Sequence, residues 1–181
     1  MSDQNGDPGI KSQPMVLPAF GKAPELKIEM KNIRYAETRL IEAKNVNPFT
    51  YSDLEHTFNE AYRDLKKHIA SISYSIAMAQ KSLEDAKADV ILGSYQDYIK
   101  NHPKEANADT RNAFLARDQA YSAALDRIAQ LKAVESNMDG KIKVMENVCR
   151  YMRQTMQLIT RSGMSNADYY VTIKDRQKQG S

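Results

Sequence analysis

From Phe58 onward, apolar residues return every seven positions. One column reads Phe58, Leu65, Ile72, Ala79 and Ala86, and a second reads Tyr62, Ile69, Ile76, Leu83 and Val90. The two interleave in steps of three and four, which is the a/d seam of a coiled coil. The stretch "IASISYSIAM" also alternates as a strand would, but no turn signal flanks it, so the helical reading prevails. Ser52 and Glu55 have the spacing of a capping box at the start of this helix. A helix from Asp53 to Tyr98 is ~70 Å long. In a small protein it needs a second helix to cover its seam.

Pro103, preceded by Asn101, breaks the pattern, and Asn107 or Asp109 is placed to cap a new helix. The seven-residue repeat then resumes. Phe114, Tyr121, Ile128, Ile142, Cys149 and Met156 form one column, and Ala124, Leu131, Met138, Met145, Met152 and Ile159 the other. Glu135 interrupts the first column. Gly140 within "NMDGK" predicts a bend or short break, and Gly163 a helix stop.

Ahead of the long helices, Leu26, Ile28 and Met30 alternate with charged residues as in a short strand. Ala36, Leu40 and Ile41 then recur at helical spacing, which predicts a helix over Ile33–Lys44 that could begin as early as Glu25. Residues 1–24 are crowded with Gly and Pro and predict a disordered tail. Within them "MVLPAF" is an apolar island, a piece of linker or a docking motif. The organisation is a tail (1–24), a short N-terminal element (25–48), a helical-hairpin core (49–164) and a flexible polar tail (165–181) that contains "DYYVTI". The fold class is all-α, a long antiparallel helical hairpin or coiled coil that belongs to an oligomer.

Composition sharpens this picture. Hydrophobic residues make up 41% of the 181 positions, yet Trp is absent and Phe occurs four times, so Ala, Ile, Leu and Met must supply the packing. A single cysteine, Cys149, allows no internal disulfide and suits a reducing compartment. No apolar run is long enough to cross a bilayer and no signal pattern opens the chain, so a soluble intracellular protein without a membrane partner is expected.

Catalytic patterns are missing. His56, His68 and His102 are scattered, and no HExxH, GxSxG or Gly-rich phosphate loop occurs. Cys149 and the column Met138, Met145 and Met152 read as packing. Neither an enzymatic activity nor a cofactor nor a metal is expected.

Binding remains. The net charge is +3, and basic residues gather in two places. In the turn, Lys100, Lys104, Arg111 and Arg117 follow Tyr95 and Tyr98. Cations track a phosphate backbone, and tyrosine rings stack on unpaired bases. Farther on, residues 141–161 hold Lys141, Lys143, Arg150, Arg153 and Arg161 against one acid, Glu146. Lys143, Arg150 and Arg161 fall near one helix face, with Gln154 and Gln157 between them.

Over residues 81–164 the order of parts resembles the phage UvsY-type recombination mediators. "KSLEDAKADVILGSYQDYIKN" closes a helix on a Tyr-x-x-Tyr pair. "NAFLARDQAYSAALDRIAQL" follows a polar turn, and "MENVCRYMRQTMQLITRSGM" ends on the family's Ile-x-x-x-Gly-hydrophobic close. The resemblance implies a non-enzymatic, ring-forming homo-oligomer in the cytoplasm of a phage-infected host. Such a ring binds single-stranded DNA and helps a RecA-like recombinase displace single-strand-binding protein. In that family, basic residues near the end of the first long helix contact the strand. Here "ILGS" precedes the tyrosines and is not basic, so Lys87 and Lys100 are the candidates on that helix. The competing expectation is a structural or adaptor coiled coil, such as an assembly chaperone or scaffold, that does not bind nucleic acid.

Overall fold

A computed structural model describes residues 13–162, and the chain is mostly helical (80%). Two short strands, β1 (Met15–Leu17) and β2 (Leu26–Ile28), come first. Helices α1 (Lys31–Thr38) and α2 (Leu40–Lys44) follow, then the long α3 (Tyr51–Val90). One wider π-helical turn, Ile91–Tyr95, leads into α4 (Gln96–Asn101). After a 3-10 turn at Pro103–Glu105 come α5 (Ala108–Arg117) and the long α6 (Gln119–Arg161). Helices α3 and α6 pack antiparallel, as the heptads predict. Gly163, the "DYYVTI" stretch and residues 1–12 lie outside the described residues.

The chain divides into two units. In the first, residues 29–65 and 141–162, α1 and α2 cover the beginning of α3 and the end of α6. Ile33, Ala36, Leu54, Phe58, Leu65, Met145 and Met152 are fully enclosed. Each large side chain so buried contributes about 1.5–3 kcal/mol of transfer free energy. Glu55 meets Arg153 at 3.0 Å, and Asn59, four residues on, meets Cys149, four residues back on α6. That is the register of an antiparallel pair.

The expected single helix over Ile33–Lys44 is two helices. The chain turns at Arg39, whose N–H closes onto the Ala36 carbonyl. The turn points the Arg39 guanidinium at Glu42 (2.7 Å), Asp53 and Thr57. The hydrogen bond that Arg39 donates to Glu42 is the largest effect holding that guanidinium protonated. Burial opposes it and Asp53 adds to it.

Helix α3 also starts differently from expectation. Asn47 accepts hydrogen bonds from the N–H groups of Phe49 (2.9 Å) and Thr50 (3.1 Å), so the helix opens at Tyr51. Ser52 then lies inside the first turn and cannot cap it. The Glu55 carboxylate is taken instead by the Tyr51 hydroxyl (2.8 Å) and Arg153.

In the second unit, residues 14–28 and 66–140, the strands pair antiparallel, with Met15 opposite Ile28 and Leu17 opposite Leu26. The apolar island "MVLPAF" is thus half of a hairpin, and residues 13–24 are ordered where a disordered tail was expected. The hairpin is pinned to the long helices twice. Gly21 has φ +55°, and a Cβ there would come within 2.5 Å of the Ser82 hydroxyl. Arg127, only 5% exposed, donates to the Pro18 carbonyl.

The seam on α3 follows one predicted column and departs from the other. Phe58, Leu65, Ile72, Ala79 and Ala86 are buried throughout. Of the second column only Ile76 and Val90 are buried, while Tyr62, Ile69 and Leu83 are half-exposed. The enclosed companions are Leu54, Ala61, His68 and Ser75. The Ser75 hydroxyl donates to the carbonyl of Ser71 at 3.1 Å, which lets a polar residue sit in the seam at little cost.

On α6 the predicted column is buried from Ala124 through Leu131, Met138 and Met145 to Met152, while its last member, Ile159, is half-exposed. Gly140 causes no break. It sits on the exposed face of a continuous helix, where no neighbour comes within 4 Å of a built Cβ. The interruption falls instead at Asp118, which adopts an extended backbone and accepts from the N–H of Tyr121 at 2.7 Å. Asn107 caps α5 through Thr110 N–H at 2.9 Å, as expected.

Candidate nucleic-acid interface

The two basic clusters lie in different units. In the second unit the turn begins where the π-helical turn carries Tyr95 inward. Tyr95 is 9% exposed, sits edge-on to Phe114 (5.8 Å between centroids) and reaches the Asn107 carbonyl at 3.4 Å. Tyr98 stacks on His102 at 4.4 Å and leans on Phe114 at 5.1 Å. Its hydroxyl donates to the Glu105 carboxylate, and that bond is the main reason its phenol is harder to ionise than usual. Both rings, expected as platforms for bases, are therefore engaged in closing the turn.

Lys100 pairs with Asp97 at 2.9 Å, and Lys87, in the last turn of α3, lies 3.7 Å from Glu84. Lys104, Arg111 and Arg117 are exposed and have no acidic partner among the described residues. Their chain neighbours Glu105, Asp109 and Asp118 nevertheless balance them, so residues 94–118 hold four cations and four carboxylates.

The first unit presents a different surface. Along α6, Lys143, Arg150 and Arg161 fall within about 20° of one line at 100° per residue. Asn147, Gln154 and Gln157 lie within about 40° of the same line. All six are exposed. The stripe runs ~27 Å along the helix. Its outward face follows from the buried seam on the other side. Lys143 and Arg161 have no acidic partner among the described residues, and the Arg150 guanidinium donates to the Asn147 side chain. Glu146 is the one acid of this segment, and it shares a groove of about 360 Å³ with Arg150 and Arg153. The other two cations of the segment are neutralised, Lys141 by Glu37 and Arg153 by Glu55.

Beside the stripe, between α2 and α6, lies a mostly apolar groove of about 620 Å³. Leu40, Ala43, Val144 and Val148 form its walls, with Tyr151, Asn147 and Lys44 at its edges. Tyr151 is 47% exposed, and its hydroxyl donates to the Lys44 carbonyl at 3.2 Å, which holds the ring in place. Sequence reasoning missed this groove. The available signal was that Val144 and Tyr151 are large apolar or aromatic residues off both seam columns, on a helix whose seam was already complete.

Among the described residues no three His, Cys, Asp or Glu side chains gather as a metal ion requires, and no helix is long and apolar enough to cross a membrane. Cys149 sits in the seam, and burial pushes its thiol above the ordinary range. No family model, curated protein or solved structure matches the chain.

Proposed function

We propose that this protein is a non-enzymatic, oligomeric single-stranded-DNA-binding protein. In this role it acts as a mediator that helps a RecA-like recombinase onto strands covered by single-strand-binding protein. The observation that supports DNA binding most is the exposed stripe Lys143–Arg150–Arg161 on α6, which has an uncompensated cationic excess and neutral amide side chains between the charges. A line of cations at helical spacing neutralises successive phosphates without reading sequence. The mediator role comes from the resemblance over residues 81–164. Of the two basic clusters expected from the sequence, the α6 segment supports this reading more, because the turn carries as many carboxylates as cations.

The test is fluorescence anisotropy with labelled single- and double-stranded DNA over a salt series. Three neutralised phosphates give a slope of about −2 in log affinity against log salt for a single strand. That corresponds to about twentyfold weaker binding between 50 and 200 mM salt. Binding that favours the single strand with such a slope is expected. No binding at low salt would overturn the reading and leave the adaptor coiled coil.

A further inference from the structure

We infer that the apolar groove between α2 and α6 is a subsite for unpaired nucleobases of the strand whose phosphates lie on the Lys143–Arg150–Arg161 stripe. This rests on the DNA-binding reading and adds what would make the surface prefer single strands.

Three observations carry the inference. First, groove and stripe are continuous. Asn147 lines the groove and accepts the hydrogen bond of Arg150, so a phosphate at Arg150 places its nucleoside next to the groove. Second, the chemistry matches a base. A base has two apolar π-faces and a polar edge. The groove offers aliphatic walls from Leu40, Val144 and Val148, an aromatic ring in Tyr151, and polar groups at the rim in Asn147 and Lys44. Its volume of about 620 Å³ is that of an ordinary small-molecule site. Third, the charge around it is right. Lys44 lines it, and the exposed Lys143 and Arg150 directly precede its lining residues Val144 and Tyr151 along α6, which favours a polyanionic occupant over a neutral apolar one.

A base in a duplex has both faces covered by stacking and its edge paired, so it cannot enter. Single-strand preference then arises from access to the groove, while the stripe itself attracts any polyanion.

The experiment compares three labelled probes of equal length on the full chain: a thymidine oligonucleotide, the corresponding abasic oligonucleotide and a duplex. Wild-type protein is expected to bind the thymidine strand on the order of tenfold more tightly than the abasic one. Tyr151→Ala removes that difference and leaves abasic and duplex affinities unchanged. Tyr151→Phe retains the ring and keeps the preference, and Val144→Gln reduces it without adding charge. Thermal unfolding of each variant verifies the fold.

Equal wild-type affinity for thymidine and abasic strands overturns the base subsite while the DNA-binding reading stands, and so does a uniform loss for all probes in Tyr151→Ala. Absence of binding to every probe overturns both. A Tyr151→Ala variant that changes its sedimentation but not its probe affinities assigns the groove to a second copy of the chain, and the inference falls.

Discussion

Residues 94–118 and residues 141–161 carry four and five cationic side chains, and on composition alone they compete as binding surfaces. They differ in what surrounds the charge. In the turn, four carboxylates match the cations, and Tyr95, Tyr98 and Phe114 are engaged with one another. On α6, the side chains that would cancel the charge reach only Lys141 and Arg153, leaving three cations aligned on an exposed face. A cluster of basic residues is thus a weak guide until its counter-charges have been located. The turn sets its exposed cations among an equal number of carboxylates, while the α6 segment keeps a net cationic excess.

The largest test of this contrast is a pair of triple variants. Lys143→Ala, Arg150→Ala and Arg161→Ala together are expected to lower single-stranded-DNA affinity on the order of hundredfold at low salt, since hydrogen bonds to charged groups are the stronger kind. The salt slope should flatten by about 2. Lys104→Ala, Arg111→Ala and Arg117→Ala together are expected to change affinity little. The reverse ranking in an anisotropy titration would return the site to the turn.

A smaller effect concerns the turn as a structural device. Phe114→Ala removes the ring between Tyr95 and Tyr98 and should destabilise the turn by about 2 kcal/mol, because the ring is half-buried. Faster amide exchange across residues 94–118 with unchanged DNA affinity is the expected outcome. Lost DNA affinity in a folded variant would show that the turn does more than close the hairpin.

The smallest effect is the titration of Tyr98. Its hydrogen bond to Glu105 raises the phenol above its ordinary value of 10.0 in the folded protein. The folded state therefore holds this proton more tightly than the unfolded state. The bond's contribution is complete below the ordinary value and fades as pH rises through the raised one. Ultraviolet difference titration should show late-ionising tyrosines, of which Tyr98 moves earlier in Glu105→Gln while Tyr51, raised chiefly by burial, stays late. A curve identical to wild type would mean that the hydrogen bond is not formed in solution.

Several elements were legible along the chain. The column from Phe58 to Ala86, the column from Ala124 to Met152, the break at Pro103 and the Asn107 cap all follow from spacing and residue type. Other features went unread for identifiable reasons. Ser75 is buried because its hydroxyl bonds back to Ser71, and a hydrophobicity pattern counts it as polar. Gly140 does not break α6, because neighbouring turns on both sides hold the helix and the exposed face needs no Cβ. The Ser52–Glu55 box lost to Asn47, which caps earlier and leaves Glu55 for Arg153. The stripe's residues Lys143, Arg150 and Arg161 were readable from angle alone, while the groove beside them was not.

By itself, the amino-acid sequence determined the broad periodicities: that two long helices flank a break at Pro103, and one apolar column on each of them. These depend on neighbours within one or two turns, and the chain states them directly. The tertiary structure alone decided which charges survive and where the groove lies. Glu37 reaches Lys141, Glu55 reaches Arg153, and Lys44 holds Tyr151 across separations of 104, 98 and 107 residues. Such pairings depend on the register between distant segments. That register is set by how whole faces interlock, so no short stretch of sequence records it.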